Sequence, residues 1–285
     1  GVLVAMRVVG GAEAFGEEHA ALGGMFVGTY TGGSVNFNAV ALHYGVVEEG
    51  VLYAGATAVD NLMTTIWMAV NLLVPRVLGR FWPGRRAIEP GAAQTAGPDL
   101  GIDEDTESVH PIDVAWLLAL GAATVGASNA TAGWLEASRG VTVPSILVLT
   151  TIALGLAQVP AIARIPGART IGMFAVYLFL AVIGALCDVE ALGQIGSLGT
   201  SLLAFVAIAV TIHGVVVYSA AATFRIDAEL ASVASQANVG GGTSALALAR
   251  SLGRSDLVLP AILVGSLGMA LGTYLGFLTA DLLGG

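Results

Sequence analysis

The chain contains no lysine, a single cysteine and little charge of either sign. All eleven basic residues are arginine. The glycine run Gly240-Gly241-Gly242-Thr243 therefore lacks the lysine of a phosphate-binding loop, and it follows no strand pattern. Cys187 stands alone, so no intrachain disulfide forms, and no Cys/His spacing resembles a zinc site. No basic stripe is present, which excludes nucleic-acid binding as a partner class. No Ser/His/Asp set, His-Glu-x-x-His motif or pair of catalytic carboxylates can be assembled, so the chain is not expected to be an enzyme. Charged residues make up 11% of the 285, against roughly 25% in soluble domains.

What is abundant is apolar sequence. Hydrophobic residues reach 56%, with a mean hydropathy of +0.84. Several apolar runs approach the roughly 20 residues that cross a hydrocarbon layer as a helix. The lipid bilayer is thus the expected partner, and an all-α polytopic membrane protein the expected fold class. The net charge of −9 sits mostly between the apolar runs.

One device occurs twice, about 210 residues apart. The first copy reads Thr29-Tyr30-Thr31-Gly32-Gly33-Ser34-Val35-Asn36-Phe37-Asn38, and the second Gln236-Ala237-Asn238-Val239-Gly240-Gly241-Gly242-Thr243-Ser244. Each is an apolar segment broken by glycines and then resumed. Paired breaks in corresponding places point to inverted repeats around a substrate site. Irregular backbone survives at membrane depth only where it is packed in protein or lines a cavity. Ser34 and Thr243 stand where N-caps of the resumed helices are expected. The amino end of a resumed helix favours an anion, and the carboxyl end of the helix before it favours a cation. The plainer alternative is that the glycines only allow close helix packing.

The expected elements are a helix tail at 1–10, a broken element at 17–45 and a long helix at 51–80. A polar linker follows at 81–110, with Pro83, Pro90, Pro98 and the acidic run Asp103-Glu104-Asp105. Helices are then expected at about 111–136, 142–163, 168–187 and 198–223, a second broken element at 227–253 and a last helix at 257–282. Residues 1–80 would be the end of a first repeat and 111–285 a second. Superposing the two breaks places Gly1 late in the fourth helix of the second half. The N-terminal part of the first repeat, roughly 100 residues, is therefore expected to precede Gly1.

Arginine placement bears on whether each broken element crosses the bilayer or enters and returns as a re-entrant hairpin. With linker 81–110 cytoplasmic, hairpins put nine of the eleven arginines inside, whereas crossing discontinuous helices put seven there. The hairpin arrangement gives an odd number of crossings per repeat, opposed hairpins, and a C-terminus outside. The expected location is the plasma membrane, as a multi-pass protein.

Asp60 lies within the 51–80 helix, followed by Asn61, Thr64 and Thr65. Thr64 shares its face through four-residue spacing. An intramembrane carboxylate is expensive and marks a functional site by default. The expected cation site is Asp60, Asn61 and Thr64, for Na⁺ or H⁺ as coupling ion, with no other cofactor. A structural hydrogen bond to a neighbouring helix is the alternative. The expected solute site is Thr31, Gly32, Gly33, Ser34, Asn36 and Asn38 at the first break, with Asn238, Gly240, Gly241, Gly242 and Thr243 at the second. Ser128-Asn129 is read as an interruption of the 111–136 helix, and His213 as a packed intramembrane histidine.

Four ordered stretches, at 28–37, 58–61, 234–241 and 259–268, resemble the uncharacterised family of YjcL-like integral membrane proteins. The resemblance covers most of the chain outside the linker. The family is distantly similar to sodium-coupled glutamate and citrate symporters and to cation/proton antiporters. That likeness implies inverted repeats, a mobile hairpin domain, a homodimer and an ion gradient. The expected function is secondary active transport of a small solute, such as an organic anion, by alternating access. A channel and a non-transporting membrane scaffold or sensor are the other readings. Electrical recordings separate a channel from a carrier.

Overall fold

A computed structural model describes residues 1–78, 82, 109–186 and 196–284. The linker expected at 81–110 lies outside these residues except for Trp82, Val109 and His110, and Cys187 lies outside them as well. The described residues are helical and contain no strand. Helices α1 (Val2–Val8), α2 (Gly11–Phe15), α3 (His19–Gly32), α4 (Ser34–His43) and α5 (Gly50–Leu78) come first. Then follow α6 (Pro111–Arg139), α7 (Ser145–Ala157), α8 (Pro160–Ala163) and α9 (Ala168–Leu186). The chain ends with α10 (Ser197–Thr223), α11 (Ala228–Val239), α12 (Gly241–Ser251) and α13 (Val258–Gly284). By length and composition Gly50–Val77, Pro111–Arg139, Ser197–Thr223 and Ser255–Gly284 can cross a membrane.

The chain divides into two compact units. One holds residues 100–186, with α6 to α9; the other holds the remainder. In the smaller unit, α6 starts with a capping box between His110 and Asp113 and carries Pro111 at its first position. The interruption expected at Ser128-Asn129 does not occur. Ser128 returns its hydroxyl to the Val125 carbonyl at 2.8 Å, and α6 runs on to Arg139. The helix expected at 142–163 instead divides into α7 and α8. Pro160 pushes Val159 into extended geometry (φ −82°, ψ 112°), which ends α7.

In the larger unit the two broken elements are helical hairpins. Phe26 and Phe37 stack edge-to-face at 5.5 Å, and a β-carbon on Gly28 would meet Asn36 at 3.1 Å. A β-carbon on Gly24 would meet Val40 at 3.2 Å. Such pairings require the chain to reverse at Gly32-Gly33. In the second hairpin Gln236 bonds Ser244 near the tip, and Arg254 bonds Asp227 at the base. The arms have 14 and 10 residues in the first hairpin and 12 and 11 in the second. At 1.5 Å per residue each arm reaches about 15–21 Å, too short to cross a bilayer core of roughly 30 Å.

Helices α5 and α13 run past both hairpins in opposite directions. Along α5, Tyr53 and Asp60 meet the first hairpin, and Trp67 and Asn71 meet the second. Along α13, Ala261 and Gly265 meet the second hairpin, while Gly268, Gly272 and Gly276 meet the first. The hairpins therefore come from opposite ends of the two long helices. Their tips lie level with residues 60–67 of α5, the middle of its 28-residue span.

Candidate functional site

The site grows from the two tips. Gly33 adopts φ +95° and Gly241 φ +75°, conformations that favour glycine. A β-carbon on Gly241 would stand 3.7 Å from the Gly33 Cα, so the two turns touch each other. The caps differ from expectation. Glycines occupy both N-cap positions, Gly33 for α4 and Gly240 for α12, with no side-chain cap. Ser34 is the first residue of α4, and its hydroxyl turns to Asp60. Thr243 lies in the first turn of α12 and is exposed. Gly33 is a positive-φ cap, whereas Gly240 caps at φ −112° and the positive φ falls on Gly241, so in both hairpins the hydroxyl residue lies inside the helix.

Asp60 is 3% exposed and sits against the first break. Thr29 Oγ1 lies 3.2 Å from both carboxylate oxygens, and Ser34 Oγ donates to Oδ2 at 3.3 Å. The buried Tyr30 hydroxyl faces the same carboxylate. The carboxylate thus meets hydroxyls and no basic side chain among these contacts. Oxygen ligands of this kind suit a hard cation such as Na⁺. Asn61 is exposed, and Thr64 is half-buried. The structure groups Asp60 with Thr29 and Ser34, not with its own helix neighbours.

Other expected site residues have structural partners. Asn38 accepts from Tyr53 Oη and donates to the Ser34 carbonyl at 2.7 Å. Asn36 is wedged between α3 and α13 and accepts from Thr273 at 2.5 Å. Thr31 returns its hydroxyl to the Val27 carbonyl at 2.8 Å. Gly32 packs on Gly268, where an added β-carbon would lie 2.2 Å from the carbonyl oxygen. Gly242 packs on Gly265. Gly24, Gly28 and Gly32 of α3 thus face Gly276, Gly272 and Gly268 of α13 as an antiparallel ladder. The packing role of the glycines and the paired turns coexist.

The second hairpin is held by neutral groups. Asn71 Nδ2 donates to Gln236 Oε1 at 2.9 Å, Tyr218 donates to Asn71 Oδ1 at 2.5 Å, and Gln236 Nε2 donates to Ser244 Oγ at 3.1 Å. Ser244 Oγ donates to the Gly241 carbonyl at 3.0 Å, which ties the chain of bonds to the tip. Trp67 Nε1 and His213 Nε2 both meet Ser235 Oγ at 3.0 Å. His213 is packed and hydrogen-bonded, as expected of it. Sequence reasoning missed Asn71 as a site residue. Its eleven-residue spacing from Asp60, three helical turns, was the available signal.

A cavity of about 170 Å³ opens beside the tips. Tyr30 and Thr31 of α3, His213 of α10, Asn238 of α11 and Gly1 are among the residues that line it. Among the described residues no group of three or more His, Cys, Asp or Glu side chains could hold a metal ion.

Apolar helices of spanning length, and in the larger unit two opposed hairpins, define a multi-pass α-helical membrane protein. The chain belongs to the family described as "Protein of unknown function (DUF819)", whose model matches residues 1–284. It is 30% identical over 269 residues to the uncharacterized membrane protein YjcL of Bacillus subtilis (strain 168). That match covers 90% of this chain and 66% of the relative, just under two thirds of its length. No solved structure matches the chain at a significant level.

Proposed function

We propose that this chain forms the core of a secondary active transporter in the plasma membrane. A small solute is held at the meeting hairpin tips, and Na⁺ or H⁺ is coupled through Asp60. Alternating access moves the hairpins against the flanking helices. Linker 81–110 lies in the cytoplasm, the base of the second hairpin faces inside, and the C-terminus lies outside. The observation that carries the reading is the contact of Gly33 with Gly241 at mid-span, beside a buried carboxylate with hydroxyl partners. Two unwound turns meeting in the middle of a membrane span supply backbone groups for a ligand. A carboxylate there can hold a cation that changes how firmly the first hairpin is tied to α5.

The test is thermal stability of the full-length protein in detergent, with Na⁺ titrated against K⁺ at constant ionic strength. A ligand that binds the folded state stabilises it, by about 2.7 kcal/mol at a hundredfold excess over its dissociation constant. The expected result is a Na⁺-specific rise in melting temperature that Asp60→Asn abolishes. A wild-type protein indifferent to Na⁺ sinks the Na⁺ form of the reading. Proton coupling then predicts solute uptake into proteoliposomes driven by a pH gradient and lost in Asp60→Asn.

A further inference from the structure

Asp60 is a buried carboxylate whose side-chain partners are all hydroxyls. Thr29 Oγ1 stands 3.2 Å from Oδ1 and 3.2 Å from Oδ2, and Ser34 Oγ stands 3.3 Å from Oδ2. The Tyr30 hydroxyl bonds the same group, and no basic side chain is among its partners. A buried carboxylate without a cation is costly. The Thr29 and Ser34 spacings are also long for the bonds they represent. A hydroxyl held by a carboxylate normally lies about 2.5–2.7 Å away, and an O–H···O bond of any kind about 2.5–3.0 Å. Thr29 has one hydroxyl proton, yet its oxygen stands equally far from two acceptors, so neither contact is directed. Oxygens grouped in this way surround a point between them. Ligands about 2.3 Å from a cation, at right angles around it, lie about 3.3 Å from one another. The smaller sphere of Mg²⁺ would draw them to about 2.8–3.0 Å. The spacing fits an ion the size of Na⁺ or Ca²⁺, and a single carboxylate balances a single charge.

We propose that Asp60, Thr29 Oγ1 and Ser34 Oγ form a Na⁺ site that joins both arms of the first hairpin to α5. Thr29 precedes the glycine break and Ser34 follows it, so one ion clasps the turn at Gly33. The inference rests on the Asp60 reading above, commits the coupling ion to Na⁺, and puts two hairpin hydroxyls in place of Asn61 and Thr64. Thr29 and Asp60 are 1% and 3% exposed, whereas Ser34 is half-buried. The ion therefore enters and leaves at the hairpin tip, and its departure frees Ser34 and the turn.

Thermal stability of the full-length protein in detergent tests the ligand set. Na⁺, Li⁺ and K⁺ are titrated at fixed ionic strength, and each variant is referred to its own melting temperature without Na⁺. Thr29→Val and Ser34→Ala are expected to raise the apparent Na⁺ dissociation constant at least about tenfold. Thr29→Ser, which keeps the oxygen, and Thr64→Val are expected to stay within about twofold of the wild type. Li⁺ and K⁺ should stabilise the wild type far less than Na⁺. Thr29→Val and Ser34→Ala proteins that bind Na⁺ as the wild type does overturn the proposal. So does a loss confined to Thr64→Val, or an equal response to Na⁺, Li⁺ and K⁺. If Asp60→Asn alone abolishes the Na⁺ response, coupling through Asp60 stands and only this ligand set falls. A wild type without any Na⁺ response overturns the site outright. A site that responds as expected, in a protein whose proteoliposomes exchange no radioactive Na⁺, removes the transporter reading and keeps the site.

Discussion

At the scale of the residue, glycines separate into two kinds by what surrounds them. A β-carbon on Gly268 would lie 2.2 Å from the Thr31 carbonyl oxygen, and one on Gly265 would lie 2.2 Å from the Gly242 Cα. Backbone cannot rotate away as a side chain can, so the helices must separate. Gly268→Ala is expected to destabilise by about 1–3 kcal/mol or more. Around Gly126 of α6 nothing lies within 4 Å. Gly126→Ala is expected to be neutral or to stabilise by up to about 1 kcal/mol through helix propensity. Melting temperatures of the two variants in detergent check the contrast, and equal effects would contradict the ladder. Asp60 and the two glycine breaks were legible in the sequence because a lone carboxylate and clustered glycines stand out in apolar runs. The partners of Asp60 were not. Thr29 and Ser34 reach it only after the chain reverses at Gly33, and spacing along α5 pointed instead to Asn61 and Thr64.

At the scale of the element, the hairpins are anchored differently. The base of the second is clamped by Arg254, which is 4% exposed. Its guanidinium donates to Asp256 at 2.7 and 2.8 Å, to Glu229 at 2.8 Å and to Asp227 at 3.1 Å. Asp227 also caps α11 through the Glu229 and Leu230 amides. Arg254→Ala leaves these carboxylates without their cation. The expected loss is about 1–3 kcal/mol, less than for a fully buried pair because the carboxylates are partly exposed. Chemical or thermal denaturation measures it. Hydrogen bonds donated to Asp256 hold the guanidinium above the usual arginine range, burial opposes this, and Glu229 and Asp227 add to it. A raised folded-state value means the contribution is complete below the ordinary arginine value and fades only above the raised one. No loss of this clamp is therefore expected on raising the pH from 7 to 10. Apolar runs and the glycine clusters mark most element ends in the sequence, but the helix expected at 142–163 runs through Pro160, where the structure divides it. The sequence did not place caps or helix partners, since those depend on turn conformation and on pairings as distant as Asn71 with Gln236.

At the scale of the whole molecule, the order of hairpin and long helix repeats with opposite sense. Tyr53 to Asn71 on α5 passes from the first hairpin to the second, whereas Ala261 to Gly276 on α13 passes from the second to the first. The hairpin bases thus lie at opposite ends of the larger unit. Cysteines placed at Glu17 and Ser255, in a Cys187→Ser background, should be labelled from opposite sides of the membrane by an impermeant maleimide. In right-side-out vesicles Glu17→Cys is expected to react and Ser255→Cys to be protected until the membrane is opened. Labelling of both from one side would contradict the opposed arrangement. The arginine pattern pointed to hairpins rather than crossing helices, because topology leaves a trace in loop charge. It carried no information on the tip-to-tip contact, which arises from packing.

The ladder between α3 and α13 repeats every four residues and contains almost no side chain. A displacement of one repeat, about 6 Å along the helix, sets Gly28 opposite Gly276 and Gly32 opposite Gly272, with Ala280 facing Gly24. Small residues meet small residues in both registers. Glycine spacing alone does not choose between these registers; the Asn36–Thr273 and His19–Leu283 hydrogen bonds hold the one seen here.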